Sequence, residues 1–270
     1  MTRPAKRPWS PSPFIASSAA IHLAAGAAAL VRPAIWPWAL GLVVADQLAL
    51  TSAGLWPKSK LLGPNWTRLP VAAAARGGVA ITIDDGPDPQ VTPRVLSILQ
   101  ERGASATFFC IGERLERHGD LAREIHLRGH AIENHSYRHP HTFSLLGPKS
   151  IAAEISRAQD CIERLTGIAP GFFRAPAGLR NAFLEPVLAR QQLRLASWTR
   201  RGFDTLDKDA NTVLRRLTNA LGGGDILLLH DGNAAHIRGG GRVIHEVLPR
   251  LLDALAERRL RPMTLRAALE

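Results

Sequence analysis

Two apolar stretches with almost no charge open the chain, and a different texture follows them. Residues 13–31 carry no formal charge and are dominated by Ala, Leu, Ile and Val, about the length that crosses a bilayer. A second apolar run, 34–56, follows Arg32-Pro33, holds the single acid Asp46, and has Trp36, Trp38 and Trp56 near its ends, where indole rings suit the membrane interface. The pair predicts a membrane-associated helical hairpin within residues 1–56. Asp46 reads as an interfacial acid near a bend rather than a functional one, and His22 as a tolerated polar residue. Residues 57–78, with Pro57, Pro64, Pro70 and Gly77-Gly78, read as a linker.

From Val79 to the C-terminus (79–270) strand-like and helical patterns alternate. Strands are predicted at Val79–Ile83, Ala106–Ile111, His130–Asn134, Gly171–Phe173, Leu193–Trp198 and Asp225–His230. Amphipathic helices are predicted at Pro93–Arg102, Leu121–Arg128, Ile151–Leu165, Ala210–Leu221 and Val243–Arg258, with Gly103, Gly129 and Gly167 closing three of them. Such alternation implies an α/β fold with parallel strands and right-handed crossovers, either a barrel or an open sheet.

Composition sharpens this picture modestly. A chain of 270 residues that is 46% hydrophobic holds one sizeable domain plus an accessory segment. Cys110 and Cys161 are too few for a disulfide framework and read as small buried hydrophobes. The formal net charge of +11 suits an anionic glycan or anionic lipid headgroups. Nucleic acid is excluded as a partner, because the arginines are scattered and no basic tract is interleaved with aromatics. The Lys and Arg residues also orient the hairpin: Arg3, Lys6 and Arg7 precede it, Lys58, Lys60 and Arg68 follow it, and only Arg32 lies between the spans. Both flanks are therefore expected on the cytoplasmic side of a bacterial inner membrane. One alternative is a signal peptide or single anchor, with the small residues Ala24–Ala29 after the apolar stretch, which would export the domain to the periplasm or envelope; the other is a helix lying in the membrane interface.

The candidate chemistry sits at the ends of the predicted strands. Val79–Ile83 delivers Asp84 and Asp85, two adjacent carboxylates whose joint burial calls for a cation or a proton. His135 and His139 follow the third strand; four apart, they face the same way on a helical turn and can share one metal. With an Asp from another strand end they complete a two-His, one-carboxylate set with open positions, for which Zn²⁺ is the default ion. Arg174, Asp204 and His230 follow later strands, on the edge where parallel α/β folds build active sites.

These residues closely resemble the polysaccharide deacetylase family, the NodB homology domain of carbohydrate esterase family four. The resemblance runs from Val79 to the C-terminus, about seven-tenths of the chain. It rests on Thr82-Ile83-Asp84-Asp85-Gly86-Pro87, His135-Ser136-Tyr137-Arg138-His139-Pro140, Arg174-Ala175-Pro176-Ala177-Gly178 and Leu228-Leu229-His230. It implies a distorted (β/α) barrel and a divalent metal on Asp85, His135 and His139, with Zn²⁺ first and Co²⁺, Mn²⁺ or Ni²⁺ as alternatives. It implies Asp84 as general base toward metal-activated water, Arg174 as the group that keeps it ionised, and His230 as general acid supported by Asp204. Pro176 and the Ala177 backbone N–H would form the oxyanion pocket, and Leu228 would line the acyl pocket. The implied substrate is an N-acylated amino-sugar glycan losing an acetyl group, with formyl as the alternative; the cytoplasmic orientation adds a polyprenyl-phosphate-linked sugar. The fourth motif departs from the family, with Thr205 where Trp is common after the Asp, which leaves Phe203 or Trp198 to supply the missing wall. Rival readings are an exported peptidoglycan or envelope-glycan deacetylase, and a non-catalytic glycan-binding membrane protein of the same fold. Metal-dependent phosphoester cleavage lacks ligands for a second metal.

Overall fold

The computed structural model describes residues 8–237 and 239–270. Arg3, Lys6 and Arg7, which enter the orientation argument, lie outside the described residues. The two N-terminal apolar runs form helices α1 (Pro13–Val31) and α2 (Trp36–Leu55), joined by a 3₁₀ turn at Pro33–Ile35. Both are long and apolar enough to cross a membrane. Leu23, Leu30, Val31 and Trp38 point outward, each more than three-quarters exposed, which in water would be a costly surface. The helices meet through polar side chains: Ser18 donates to Asp46 at 2.6 Å, and His22 sits 2.9 Å from Gln47 and 2.8 Å from the Ser18 carbonyl. Asp46 thus lies well inside α2 and bonded to α1, not beside a bend.

The remaining chain builds one parallel sheet wrapped into a barrel. Its central strand β1 (Gly78–Asp84) is buried at every residue. β2 (Thr107–Cys110), β3 (Ala131–Asn134), β4 (Phe172–Phe173) and β5 (Arg194–Leu195) extend the sheet on one side, and β7 (Ile226–His230) and β6 (Arg200–Arg201) on the other. β8 (Arg261–Met263) pairs with the first half of β1. Every named strand pairing is parallel, so all the strand ends that carry candidate residues share one rim. The barrel is closed by a single segment: residues 194–195 pair with β4, residues 200–201 of the same stretch pair with β7, and Trp66 bridges to Ala196 between them.

Two-residue periodicity divides the side chains between layers. Val79, Ile81, Ile83, Leu227 and Leu229 face outward into the apolar layer under the helices. Ala80, Phe109, Ile226 and Leu228 face inward with Phe172 and Trp198. The outer helices include α4 (Thr92–Glu101), α6 (Gly119–Leu127), α7 (Pro148–Thr166), α9 (Ala210–Thr218) and α10 (Val243–Glu257). Gly103, Gly129 and Gly167 all have positive φ at the ends of α4, α6 and α7. The short helices α5 (Gly112–Arg117) and α8 (Leu184–Arg190) and strands β6 and β8 were not expected from sequence. Cys110 and Cys161 are free and buried.

Residues 57–77, between hairpin and sheet, lie along the barrel and include helix α3 (Val71–Ala75). Pro57 O accepts from Asn65 at 2.8 Å and from Ser197 Oγ at 2.6 Å, and Arg68 pairs with buried Asp225 at 3.1 Å. The last turn of α2 docks on the loop after β4: Arg180 N–H donates to Gly54 O at 3.1 Å and Arg180 Nη2 to Ser59 O at 2.6 Å. The base of the hairpin therefore abuts the rim that carries the candidate residues.

Candidate active site

Asp84 and His230 are the last residues of β1 and β7, and the parallel register sets them directly side by side. Inner-face parity turns both toward the barrel interior, as it does Thr82 and Leu228 below them. Asp84 is 3% exposed and would be a costly buried charge alone. Arg174, itself 1% exposed, compensates it: Nη1 donates to Asp84 Oδ1 at 2.6 Å and to Thr82 Oγ1 at 2.8 Å. Its other donors reach Ala196 O at 3.2 Å and Ser197 O at 2.8 Å, and its guanidinium lies 4.1 Å from the centre of the Phe109 ring. Burial pushes the Arg174 pKa below its ordinary value, with Asp84 opposing the shift.

Beside Asp84, the donor atoms of Asp85, His135 and His139 all lie within 4.8 Å of one another. His135 Nε2 and His139 Nε2 are each 3.3 Å from Asp85 Oδ1. His135 donates Nδ1–H to Arg174 O at 2.8 Å, which leaves the Nε2 lone pair facing the cluster. Burial, then the neighbouring His135, brings the His139 pKa down to about 4, so its ring is neutral and able to ligate at neutral pH. Burial opposes ionisation of Asp85, but hydrogen bonding and charge from the histidines outweigh it and hold the carboxyl well below the usual range. A buried carboxylate, two imidazoles with lone pairs aimed inward, and room for further ligands fit a divalent cation. The two histidines converge without the expected helical turn. Residues 135–142 form an irregular loop, in which Ser136 (φ 62°) and His139 (φ 54°) are left-handed and Ser136 Oγ accepts the His139 N–H at 3.0 Å. Asp85 (φ 73°) and Ala177 (φ 54°) are left-handed too, so strained backbone gathers at this rim.

His230 is paired from behind. Asp204, fully buried, accepts the His230 backbone N–H at 2.7 Å and lies 2.9 Å from Nδ1. Burial works against a charged ring, but the Asp204 charge and hydrogen bond, with Asp84 and Asp85 adding to them, carry the His230 pKa up to about 9. The groups open into a pocket of about 210 Å³ whose walls include Ala177, Trp198, Thr205 and Leu228. Trp198 therefore lines this pocket, whereas Phe203 faces neighbouring clefts; Pro176, expected in the pocket, is buried and does not line it.

Several residues at the site lie beyond the sequence candidates; of these, sequence reads Asp231 as a loop residue and His141 as more structural than substrate-contacting. Asn233 donates Nδ2–H to Asp85 Oδ2 at 2.8 Å, and Arg114 Nη1 to Asp85 O at 2.8 Å. Asp231 is fully buried, accepts from Thr92 Oγ1 at 2.5 Å, and has its pKa raised by burial to about 7. His141 and Arg201 also line the pocket. Of these Asp231, Asn233 and His141 carry a sequence signal, their nearness to His230 or His139.

The polysaccharide deacetylase family model matches residues 72–196. A chitooligosaccharide deacetylase of Azorhizobium caulinodans is 40% identical over 164 residues, covering 58% of this chain and 75% of that protein. A peptidoglycan-N-acetylglucosamine deacetylase of Bacillus cereus is 30% identical over 176 residues, covering 64% of this chain and 62% of that one. Among solved structures, a family 4 carbohydrate esterase from Streptomyces lividans, determined with acetate, superposes with a TM-score of 0.62 at 32% identity, covering 69% of this chain and 91% of that one. Sequence and fold agree: the chain belongs to the polysaccharide deacetylase family.

Proposed function

We propose that this protein is a membrane-anchored deacetylase that removes an N-acetyl group, or a formyl group in its place, from an amino sugar at the cytoplasmic face of the membrane, carried on a polyprenyl phosphate. The observation that carries the chemistry is the pairing of Asp84 with His230 on adjacent strands beside the Asp85, His135 and His139 cluster. Relatives named as deacetylases of chitooligosaccharides and of peptidoglycan N-acetylglucosamine support an N-acetylated amino sugar as substrate. The docking of the hairpin base beside the active rim supports a substrate held at the bilayer. Lys58, Lys60 and Arg68 after the hairpin, against Arg32 alone at its tip, support the cytoplasmic orientation.

Asp85, His135 and His139 would hold a divalent cation, with Zn²⁺ the first choice for this donor set and Co²⁺, Mn²⁺ or Ni²⁺ compatible with it. When bound, such an ion supplies a water of lowered pKa and an electrophile for the amide oxygen. Asp84 takes the proton of the attacking water on Oδ2, because Oδ1 is engaged by Arg174. The Ala177 backbone N–H, at the left-handed turn after Pro176, donates to the oxyanion. Leu228 and Trp198 bound the space for the acyl methyl. His230, with Nδ1 held by Asp204, gives its Nε2 proton to the departing amine. Base and acid act at one pH because their neighbours differ: a guanidinium beside the carboxylate, a carboxylate beside the imidazole.

Mass spectrometry of lipid-linked and envelope glycans from cells with and without the gene tests the reading. The expected result is one added acetyl or formyl mass in the lipid-linked pool of cells lacking it. A change confined to envelope glycan moves the protein to the outer face, and no change in any pool overturns the reading. Reporter fusions to the C-terminus check orientation independently.

A further inference from the structure

We propose that a cleft adjoining the active site binds the phosphate of the substrate's carrier, with Arg201 as its direct contact; this rests on the deacetylase reading above and states how the site tells a phosphate-linked amino sugar from a neutral glycan. The cleft, about 460 Å³, runs between Trp56, just past the last turn of α2, and the Trp198–Arg201 wall that it shares with the catalytic pocket. Lys58, Arg200, Arg201 and Arg216 line it, and among the described residues no acid does. Two of these cations are already matched: Arg200 Nε pairs with Asp225 and Arg216 Nη1 with Asp207, each at 2.8 Å. Arg201 is different. Among the described residues it meets no carboxylate, and its buried Nε has no hydrogen-bond partner. Its guanidinium carbon lies 5.5 Å from the centre of the Trp198 ring and 4.9 Å from that of Phe203, which fixes the planar fork without satisfying its N–H groups. Lys58 Nζ, donating to Thr199 O at 2.7 Å, is a second cation that meets no carboxylate among the described residues.

A guanidinium held by rings with donors to spare suits a phosphate oxygen. The β6–β7 register makes Arg201 the strand partner of Leu228, so an anion bound there neighbours the acyl pocket. The far end of the cleft settles which phosphate. Trp56 is 60% exposed and adjoins a helix whose apolar surface faces outward, so a prenyl chain leaving the phosphate there enters the bilayer along α2. A sugar nucleotide shares the phosphate but has no use for that exit.

The test uses the full chain in detergent micelles, loaded with Zn²⁺ or Co²⁺. The kcat/KM for N-acetylglucosaminyl farnesyl phosphate is compared with that for neutral chitotriose and for UDP-N-acetylglucosamine. The native chain is expected to favour the farnesyl phosphate sugar over both. Arg201→Gln is expected to shrink that preference over chitotriose roughly ten- to hundredfold, mainly through KM, with Arg201→Lys restoring part of it. Lys58→Gln, a change at the surface, is expected to act in the same direction and serves if Arg201→Gln does not fold. An unchanged preference in the variants overturns the cleft assignment while the deacetylase reading stands, and equal preference for the UDP sugar overturns the lipid source. If the native chain hydrolyses none of the three, the functional reading fails on its own. Calorimetric binding of farnesyl phosphate, with farnesol and inorganic phosphate as controls, then decides the cleft: loss of binding in Arg201→Gln upholds it, and equal binding overturns it.

Discussion

Asp84 and His230 are register partners on two central parallel strands, and each is guarded from behind by a residue of opposite charge. Arg174 reaches Asp84 through the barrel interior, and Asp204 reaches His230 from the loop after β6. Local pairing thus sets a guanidinium against the carboxylate and a carboxylate against the imidazole within one strand spacing of each other.

Asp84→Asn keeps a hydrogen-bond acceptor for Arg174 while removing the proposed base. Hydrolysis should fall by roughly 10²–10⁴-fold while Zn²⁺ titration of the purified protein shows binding retained. Activity at the native level would take Asp84 out of the base role. Arg174→Met, by contrast, strands the Asp84 charge in the interior and should cost about 3–5 kcal/mol of stability, read from the denaturation midpoint.

The His230 pKa, raised from an ordinary 6.5 to about 9, sets the sign of a pH effect. The ring stays protonated through neutral pH, so kcat/KM should fall as pH rises through the folded value. Its contribution to stability is complete below the unfolded pKa and is lost as pH climbs through the folded one. A bound cation beside Asp84 and Asp85 cancels their share of the shift but leaves that of Asp204. Asp204→Asn should therefore move the alkaline limb of the rate profile to lower pH; an unmoved limb would separate Asp204 from the acid.

Asn233 fixes the second oxygen of Asp85, the one not facing the histidines. Asn233→Ala should weaken Zn²⁺ binding about 10–100-fold with little change in circular dichroism. Equal affinity in a competition titration would show that Asp85 needs no such support.

The Ser18–Asp46 bond joins the two apolar helices, with the His22 ring 3.5 Å from the same carboxylate oxygen. Asp46→Leu should loosen the hairpin by about 0.6 kcal/mol and at most about 1.7, measured by unfolding in mixed micelles. A stability gain would mean that the acid is kept for some purpose other than packing.

The strand ends were legible because β-branched and apolar runs terminate there in charged residues, a pattern that survives without tertiary context. β6 and β8 were not: Arg200-Arg201 and Arg261-Pro262-Met263 have no strand pattern of their own and pair only because β7 and β1 already offer free edges. Spacing brought His135 and His139 together on paper through a helical turn, whereas the chain does it with two left-handed residues that no periodicity reports. Asn233 and Thr82 act by hydrogen-bonding a neighbour in space, which a linear reading does not register.

The Trp66 bridge decides where this chain can be cut. Trp66 N–H donates to Leu195 O, Ser197 N–H donates to Trp66 O, and its ring meets Phe172 edge-on at 5.1 Å, so it acts as a stave in the barrel wall. A version begun at Val79 to discard the apolar helices would lose that stave along with them, leaving a seam open beneath Arg174. Trimming that stops short of Pro57 should yield a water-soluble catalytic body, whereas trimming past Trp66 should yield one that leaks.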